Sequence, residues 1–457
     1  ESIQITKGAG SVVNGYESIS GQINTELIKP INDIPFFLNA YGSTDSRFEL
    51  NTHFNTQLSQ KWSSSLFVHG NTRVSKMDQN NDGFMDNPLA KQINVMNRYQ
   101  YYDAEKGLVS FINFRYMNDK KQSGEVDFDP DRDRGATNRW GSEINTQRLD
   151  LATKVGYVFK DMPFQSIGFQ NAFTLHNQNS YYGLNVYDIK QNSFYSNLIF
   201  NSIINNTKHK FATGINFAYD NYNEFVGLTD YGRVDNSVGA FFEYTYDNDD
   251  NFSLVLGGRV DNHNRLGTFV TPRLHLRYNP WEKSVLRFSA GRGKRAANIF
   301  AENQSLFASS RTFSILDTDG KIYGLNPEIA WNYGLSFNQK FQLFGRNGDA
   351  GFDLYRTDFQ NQAVVDVMQS PQQVLFYNLK GKSYATSLQI EFNYELANRF
   401  SLRSAYKYYD IQTQYLSGVY QRPLQAKHRF FGKLEYETGR SESGSQWRFD
   451  ATYNWLG

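Results

Sequence analysis

The stretch "MDQNNDGFMDNP" places Asp78, Asn80 and Asp82 at alternating positions, followed by Gly83, the Phe84 carbonyl and Asp86. Side-chain oxygens at every second residue and a glycine for the sharp turn open a calcium loop, D-x-[DN]-x-[DN]-G, and suit a hard cation that takes about six to eight oxygens. Leu89 occupies the twelfth position, where a bidentate Glu would close such a loop. The match is therefore incomplete, and the competing reading is an Asn/Asp/Gly-rich surface loop that bonds to its own backbone. A calcium ion here would be structural, and the sequence requires no other cofactor.

Other reactive residue types are present without a reactive pattern. The histidines, His53, His69, His176, His209, His263, His275 and His428, show no H-x-x-x-H pair. Cysteine is absent, which removes disulfides, thiolate metal sites and thiol nucleophiles together. No G-x-S-x-G, P-loop or paired-carboxylate signature occurs, so an enzyme is not expected. Lys+Arg 47 against Asp+Glu 46 gives a net charge of +1, which leaves no field to attract nucleic acid. "SGEVDFDPDRDRG", from Ser123 to Gly135, reads as a solvated charged loop, with a ligand site as the alternative. The cations Arg292, Lys294 and Arg295 in "GRGKRAANIF" either draw in an anionic solute or pair with nearby carboxylates.

The elements that position these residues are strands. In "WRFDATYNW", Trp447, Phe449, Ala451, Tyr453 and Trp455 share one face, with Arg448, Asp450, Thr452 and Asn454 on the other. "SLQIEFNYEL" and "AWNYGLSFN" alternate in the same way. Aromatic residues make up 16% of the chain although mean hydropathy is only -0.61. Ring-rich faces opposite Arg-, Glu- and Asn-rich faces are the pattern of a barrel with lipid outside and water inside. A soluble sandwich, whose inner face is mostly aliphatic, or a solenoid is the alternative. No apolar run is long enough for a transmembrane helix.

Connections alternate between tight turns, such as "DAEKG", "NNTKH" and "DNDDN", and long loops at 75–91, 120–145 and 298–327. That asymmetry predicts short periplasmic turns and long extracellular loops. The predicted fold is all-β, an antiparallel transmembrane barrel with about 19 strands in this chain, including one strand over 374–396. An odd count, with strand material still running at "NWLG", predicts a barrel incomplete at the C-terminus. Two units are expected: residues 1–30, and the barrel over 31–457.

The first unit carries the pattern K-G-x-x-S-x-x-x-G-x-x-x-x-x-G-x-I-N, formed by Lys7, Gly8, Ser11, Gly15, Gly21, Ile23 and Asn24. It resembles the end of the plug domain in TonB-dependent outer-membrane receptors. "TPRLHLRYNPWEKSVLRFSAGRGKRAANIF", "LNPEIAWNYGLSF" and "YNLKGKSYATSLQIEF" resemble the same family. Ala9 stands where the family often has Pro, and "NTELIKP" replaces a more usual apolar run. These departures favour the form seen in Bacteroidota-like bacteria.

The resemblance implies about 22 strands in the full protein and a bacterial outer-membrane location in contact with lipid. It also implies active import of a scarce bulky solute, a siderophore–metal chelate, haem or cobalamin first, or a glycan. Energy would come from the TonB complex through an N-terminal region that precedes these residues. Arg292, Lys294 and Arg295 would then line the ligand vestibule. The alternatives are a passive outer-membrane channel, or a structural and interaction barrel in a surface complex.

Overall fold

In the computed structural model, which describes residues 2–31 and 33–457, strands dominate from end to end. No helix among them is long and apolar enough to cross a membrane. Backbone polar groups in lipid must be paired, so the chain crosses as adjacent antiparallel strands that bond to one another. Ser2–Lys7 and Gly21–Glu26 form a separate hairpin, after which strands from Phe36–Gly42 to Arg448–Leu456 build the wall in chain order. Two passes are interrupted, Gly267–Val270 with Arg273–Tyr278 and Gly418–Gln421 with His428–Glu437. Counting each as one, and setting aside the short strands of the extracellular loops, the wall is crossed 19 times, as the alternation predicts.

Register shows why the faces differ. Phe114, Leu151, Phe173 and Phe194 stand directly opposite one another on four neighbouring strands, all exposed on the lipid side. On the other face of the same strands Arg148 pairs with Asp150 at 2.9 Å, and Thr174 donates to Asp150 at 2.7 Å. Pairing runs strand to strand from Phe36–Gly42 to Arg448–Leu456, and among the described residues these two end strands, exposed on both faces, pair only with their chain neighbours, as the expectation of an incomplete barrel has it.

About 9–11 residues suffice to cross a bilayer, but Asn185–Ile204 and Asn206–Val226 run for 20 and 21. Their upper halves therefore rise beyond the membrane as a collar, which has an apolar core of its own. Tyr182, Tyr187, Ile189, Ile299, Phe300, Phe307, Val374 and Phe376 are buried together there.

That core corrects one predicted strand. The segment read as a single strand over 374–396 is two: Gln373–Asn378 leaves the wall, and Ser383–Ala397 rejoins it. Gln373–Asn378 pairs with Ala363–Asp366 and, in parallel, with Thr312–Ile315 in a three-stranded extracellular sheet. "VLFY" is apolar at every position, with Val374 and Phe376 buried in one cluster and Leu375 and Tyr377 in another. A strand buried on both faces has no place in a wall with a wet lumen.

Leu151→Arg, on the lipid rung, should lower unfolding stability in detergent or lipid by about 2–4 kcal/mol. Gln170→Arg, on the lumen face of the neighbouring strand, should change it by less than about 1 kcal/mol. Denaturant titration of the refolded barrel reads both, and equal losses would contradict the assignment of faces.

Candidate functional site

Lys7 to Asn24 fold inside the barrel. Lys7 pairs with Gly21 across the hairpin, Ile5 with Ile23 and Gln4 with Asn24, whose side-chain amide donates to Gln4 Oε1 at 3.1 Å. Gly8 leaves the hairpin at φ +86°, and its N–H donates to the Ser20 carbonyl at 3.1 Å. A Cβ there would lie 2.6 Å from Ser289 Oγ on the wall, so both backbone and space demand glycine. Ser11 then caps a single 3₁₀ turn, Val12–Asn14, by accepting from the Val13 N–H at 3.1 Å. Gly15, at φ +123°, ends that turn. Ile23 stays exposed.

The wall holds this tail by its backbone. Arg273, buried and facing the lumen, donates to the carbonyls of Gly10 and Ser11 at 2.7 Å each, of Gly15 at 3.0 Å and of Ser18 at 3.4 Å. The planar guanidinium fork suits such divergent acceptors, and each charged bond contributes about 1.5–3 kcal/mol. Arg259, wholly buried on the adjacent strand, donates to the Val12 carbonyl at 3.2 Å and to Asn216. Asp261 compensates its charge through bonds of 2.6–2.9 Å. Side chains complete the clasp. Ser11 Oγ donates to Glu243 at 2.7 Å, Asn197 donates to the Val13 carbonyl at 3.2 Å, and the Lys7 ammonium pairs with Asp353. Gly291 and Gly293 let the tail approach closely, since a Cβ on either would meet Ala9 or Ile19 at 2.4–2.5 Å.

A second set of contacts lies above the tail. Arg233 is buried between Glu224 at 3.0 Å and Asp235 at 3.1 Å. It also donates to the Tyr323 hydroxyl at 2.7 Å and to Asn298, both on the long 296–327 connection. The Tyr187 hydroxyl donates to Glu224 at 2.9 Å. Phe300 packs edge-on against Tyr323, Phe313 and Phe376. The same connection reaches the tail, because Ile322 is buried with Tyr16, Leu266 and Phe269. Tyr16 meets Phe269 edge-on at 5.1 Å. Glu17, beside it, presents an exposed surface to the lumen space yet is ringed by protein. That enclosure raises its pKa; Arg295 opposes the rise, while Asp220, Glu302 and Asp235 add to it.

The three vestibule cations are all engaged. Arg295 bonds to Glu302 and Glu328 at 2.7 Å each. Arg292 donates to the Val270 carbonyl at 2.9 Å. The Lys294 ammonium, buried above the Phe269 ring, donates to the Leu266 carbonyl at 2.8 Å. In the Asp78–Asp86 loop the acids accept from nearby amides: Asp78 from Asp82 at 3.1 Å and Gly83 at 2.9 Å, Asp82 from Phe84 at 2.8 Å and Asp86 from Gln79 at 2.8 Å. Asn80 Nδ2 donates to Asp82 at 3.0 Å. Among the described residues no group of three or more acids or histidines gathers in a way that could hold a metal ion.

The tail motif was legible in sequence, but its holders were not. A usable signal exists. "GRVDN" occurs twice, at 232–236 and 258–262, and "RLD" at 148–150 shares its Arg-x-Asp spacing. On a strand that spacing puts both side chains on one face, where they pair at 3.1, 2.6 and 2.9 Å respectively.

Comparison with known proteins gives the following. The family described as TonB dependent receptor-like, beta-barrel matches residues 10–457. No protein of curated function matches the chain. Among solved structures, the barrel is similar to the pyoverdine-bound FpvA of P. aeruginosa, with TM-score 0.70 and 13% identity over 99% of this chain and 68% of that one. It is also similar to the alcaligin outer-membrane receptor FauA of Bordetella pertussis, with TM-score 0.68 and 13% identity over 99% and 74%. The siderophore receptor PiuA of Acinetobacter baumannii gives TM-score 0.66 and 13% identity over 98% and 78%.

Arg273→Gln should free the tail without unfolding the wall. Losing charged bonds to several carbonyls at once should speed amide hydrogen exchange of residues 10–20 by roughly 100-fold. Strand amides outside contact with the tail should keep their protection. Unchanged exchange in residues 10–20 would show that the clasp does not hold them.

Proposed function

The chain belongs to the TonB-dependent receptor-like β-barrel family, and from that premise we propose that it carries out energised import of a ferric siderophore across the bacterial outer membrane. The observation that carries this reading is the clasped tail. A polypeptide segment is held inside the lumen by Arg259, Arg273 and Lys7, a feature that a passive channel does not need. Holding it by hydrogen bonds in a polar lumen, rather than by a large apolar interface, leaves it movable by an applied force.

The link between mouth and tail supports the same reading. Tyr323 and Asn298 join the 296–327 connection to Arg233, and Ile322 of that connection packs with Tyr16 of the tail. A solute that displaces the connection thereby disturbs the tail. Siderophore chelates are preferred to haem, cobalamin or a glycan because the similar solved structures are receptors of that ligand class. TonB is the proposed partner.

A structural calcium ion in the Asp78–Asp86 loop belongs to the proposal on the alternating oxygens of Asp78, Asn80 and Asp82 alone, and binding it requires the loop to rearrange, because its acids are not gathered into a metal-holding group and accept from the loop's own amides. Calcium added to chelator-washed protein should raise its Tm, and Asp82→Asn should abolish the rise; an unchanged wild-type Tm would remove the ion.

The transport test places the full-length receptor in cells stripped of other ferric-chelate receptors and measures uptake of radioactive iron chelates, haem and cobalamin. Uptake of a ferric siderophore that stops when TonB is deleted is the expected result. Uptake of the same rate without TonB would make the protein a passive channel. Selective uptake of haem or cobalamin would correct the substrate class.

A further inference from the structure

We propose that the outer wall binds the phosphate headgroup of an anionic lipid of the outer leaflet, using Lys91 and Lys120 as the headgroup site. The two residues are direct cross-strand partners on Leu89–Asp103 and Leu108–Gly124. They share the outward face with Ile93, Ile112, Phe114 and Tyr116, at the end of the strands that leads into the long loops. Both are exposed. Asp119 and Lys121, on the opposite face, pair with each other at 3.0 Å and so supply neither lysine with an acid.

Like charges directly opposite each other destabilise a strand pair. An anion seated between the ammonium groups would reverse the sign of that interaction. Cross-strand Cβ atoms stand only about 5 Å apart, which lets two flexible lysines reach one phosphate.

What lies beneath the pair identifies the anion as a lipid. Lys91 and Lys120 rim a groove of about 870 Å³ on the outer surface. Its outward side chains include Phe48, Leu50 and Ile93, all exposed. Gly70 lies opposite both Leu50 and Ile93 in register, and its missing side chain forms the floor. Strand residues two apart are separated by about 6.8 Å, so Ile93 sits one step toward the lipid belt from Lys91. The groove thus offers an apolar channel for an acyl chain, capped by a dication at headgroup level. A free phosphate would use only the cap, and a water-soluble protein partner would have to enter a lipid-facing groove.

The test uses the full receptor in detergent and three probes: a bisphosphorylated glucosamine lipid, the same lipid after enzymatic dephosphorylation, and inorganic phosphate. Native mass spectrometry should show about tenfold greater retention of the phosphorylated lipid than of the dephosphorylated one, since each basic residue near an anionic headgroup contributes severalfold. K91Q/K120Q should lose that preference, whereas K121Q should keep it. Without lipid, K91Q/K120Q should melt at or above the wild-type temperature, because the repulsive pair is gone; with lipid, only the wild type should gain Tm. Equal retention of the two lipids, or full retention by K91Q/K120Q, would overturn the proposal. An equal Tm gain from inorganic phosphate would reassign the site to free anions, and loss of self-association as the sole effect of K91Q/K120Q would reassign the groove to a second copy of this chain.

Discussion

Within the bilayer every backbone N–H and C=O must find a partner in the protein, because lipid offers none. This constraint fixes the wall as a continuous succession of antiparallel ladders. It also separates two chemistries by the thickness of one strand. The rung of Phe114, Leu151, Phe173 and Phe194 answers to hydrocarbon, whereas Arg148, Asp150 and Thr174 on the same strands answer to the lumen. Because the wall satisfies itself, its lumen-facing side chains are free to grip something else.

They grip the backbone of the tail. Buried charges are costly unless paired or richly hydrogen-bonded, and the two central arginines solve the problem differently. Arg259 carries its own carboxylate, Asp261, and reaches Val12 with a remaining donor. Arg273 spends its terminal nitrogens on tail carbonyls, so its burial depends on the tail being in place. The mouth repeats the first solution at Arg233, between Glu224 and Asp235, and hands the remaining donors to Tyr323 and Asn298. The clasp and the mouth thus share one chemistry, with Ile322 and Tyr16 in contact between them.

The wall was largely legible because a single period decides it. Strand period two, ring-rich on one side and polar on the other, gave most passes to within a few residues. It failed at 374–396, where apolar residues at 374–377 merge with the alternating run that follows. Sequence periodicity does not report that Val374 and Phe376 are buried against the collar while Leu375 and Tyr377 are buried on the other side. The candidate site was half legible. Gly8, Ser11 and Gly15 belong to a local motif that can be read at a glance. Arg273 looks like any other lumen arginine until the register places it beside residues 10–18, some 260 positions away in sequence.

By itself the sequence determined the class of wall, its two faces, the side with long connections and the tail that enters the lumen. These follow from local periodicity, turn residues and a short motif, all encoded within a few neighbouring positions. Only the tertiary structure decided which charges are spent. Arg295 is held by Glu302 and Glu328, Lys294 by a carbonyl, and the acids of the Asp78–Asp86 loop by their own amides. Among the described residues Lys91 and Lys120 stand opposite each other without an acid paired to either. Whether a charge is paired depends on which distant strand lies beside it, and register between strands is a property of the assembled wall.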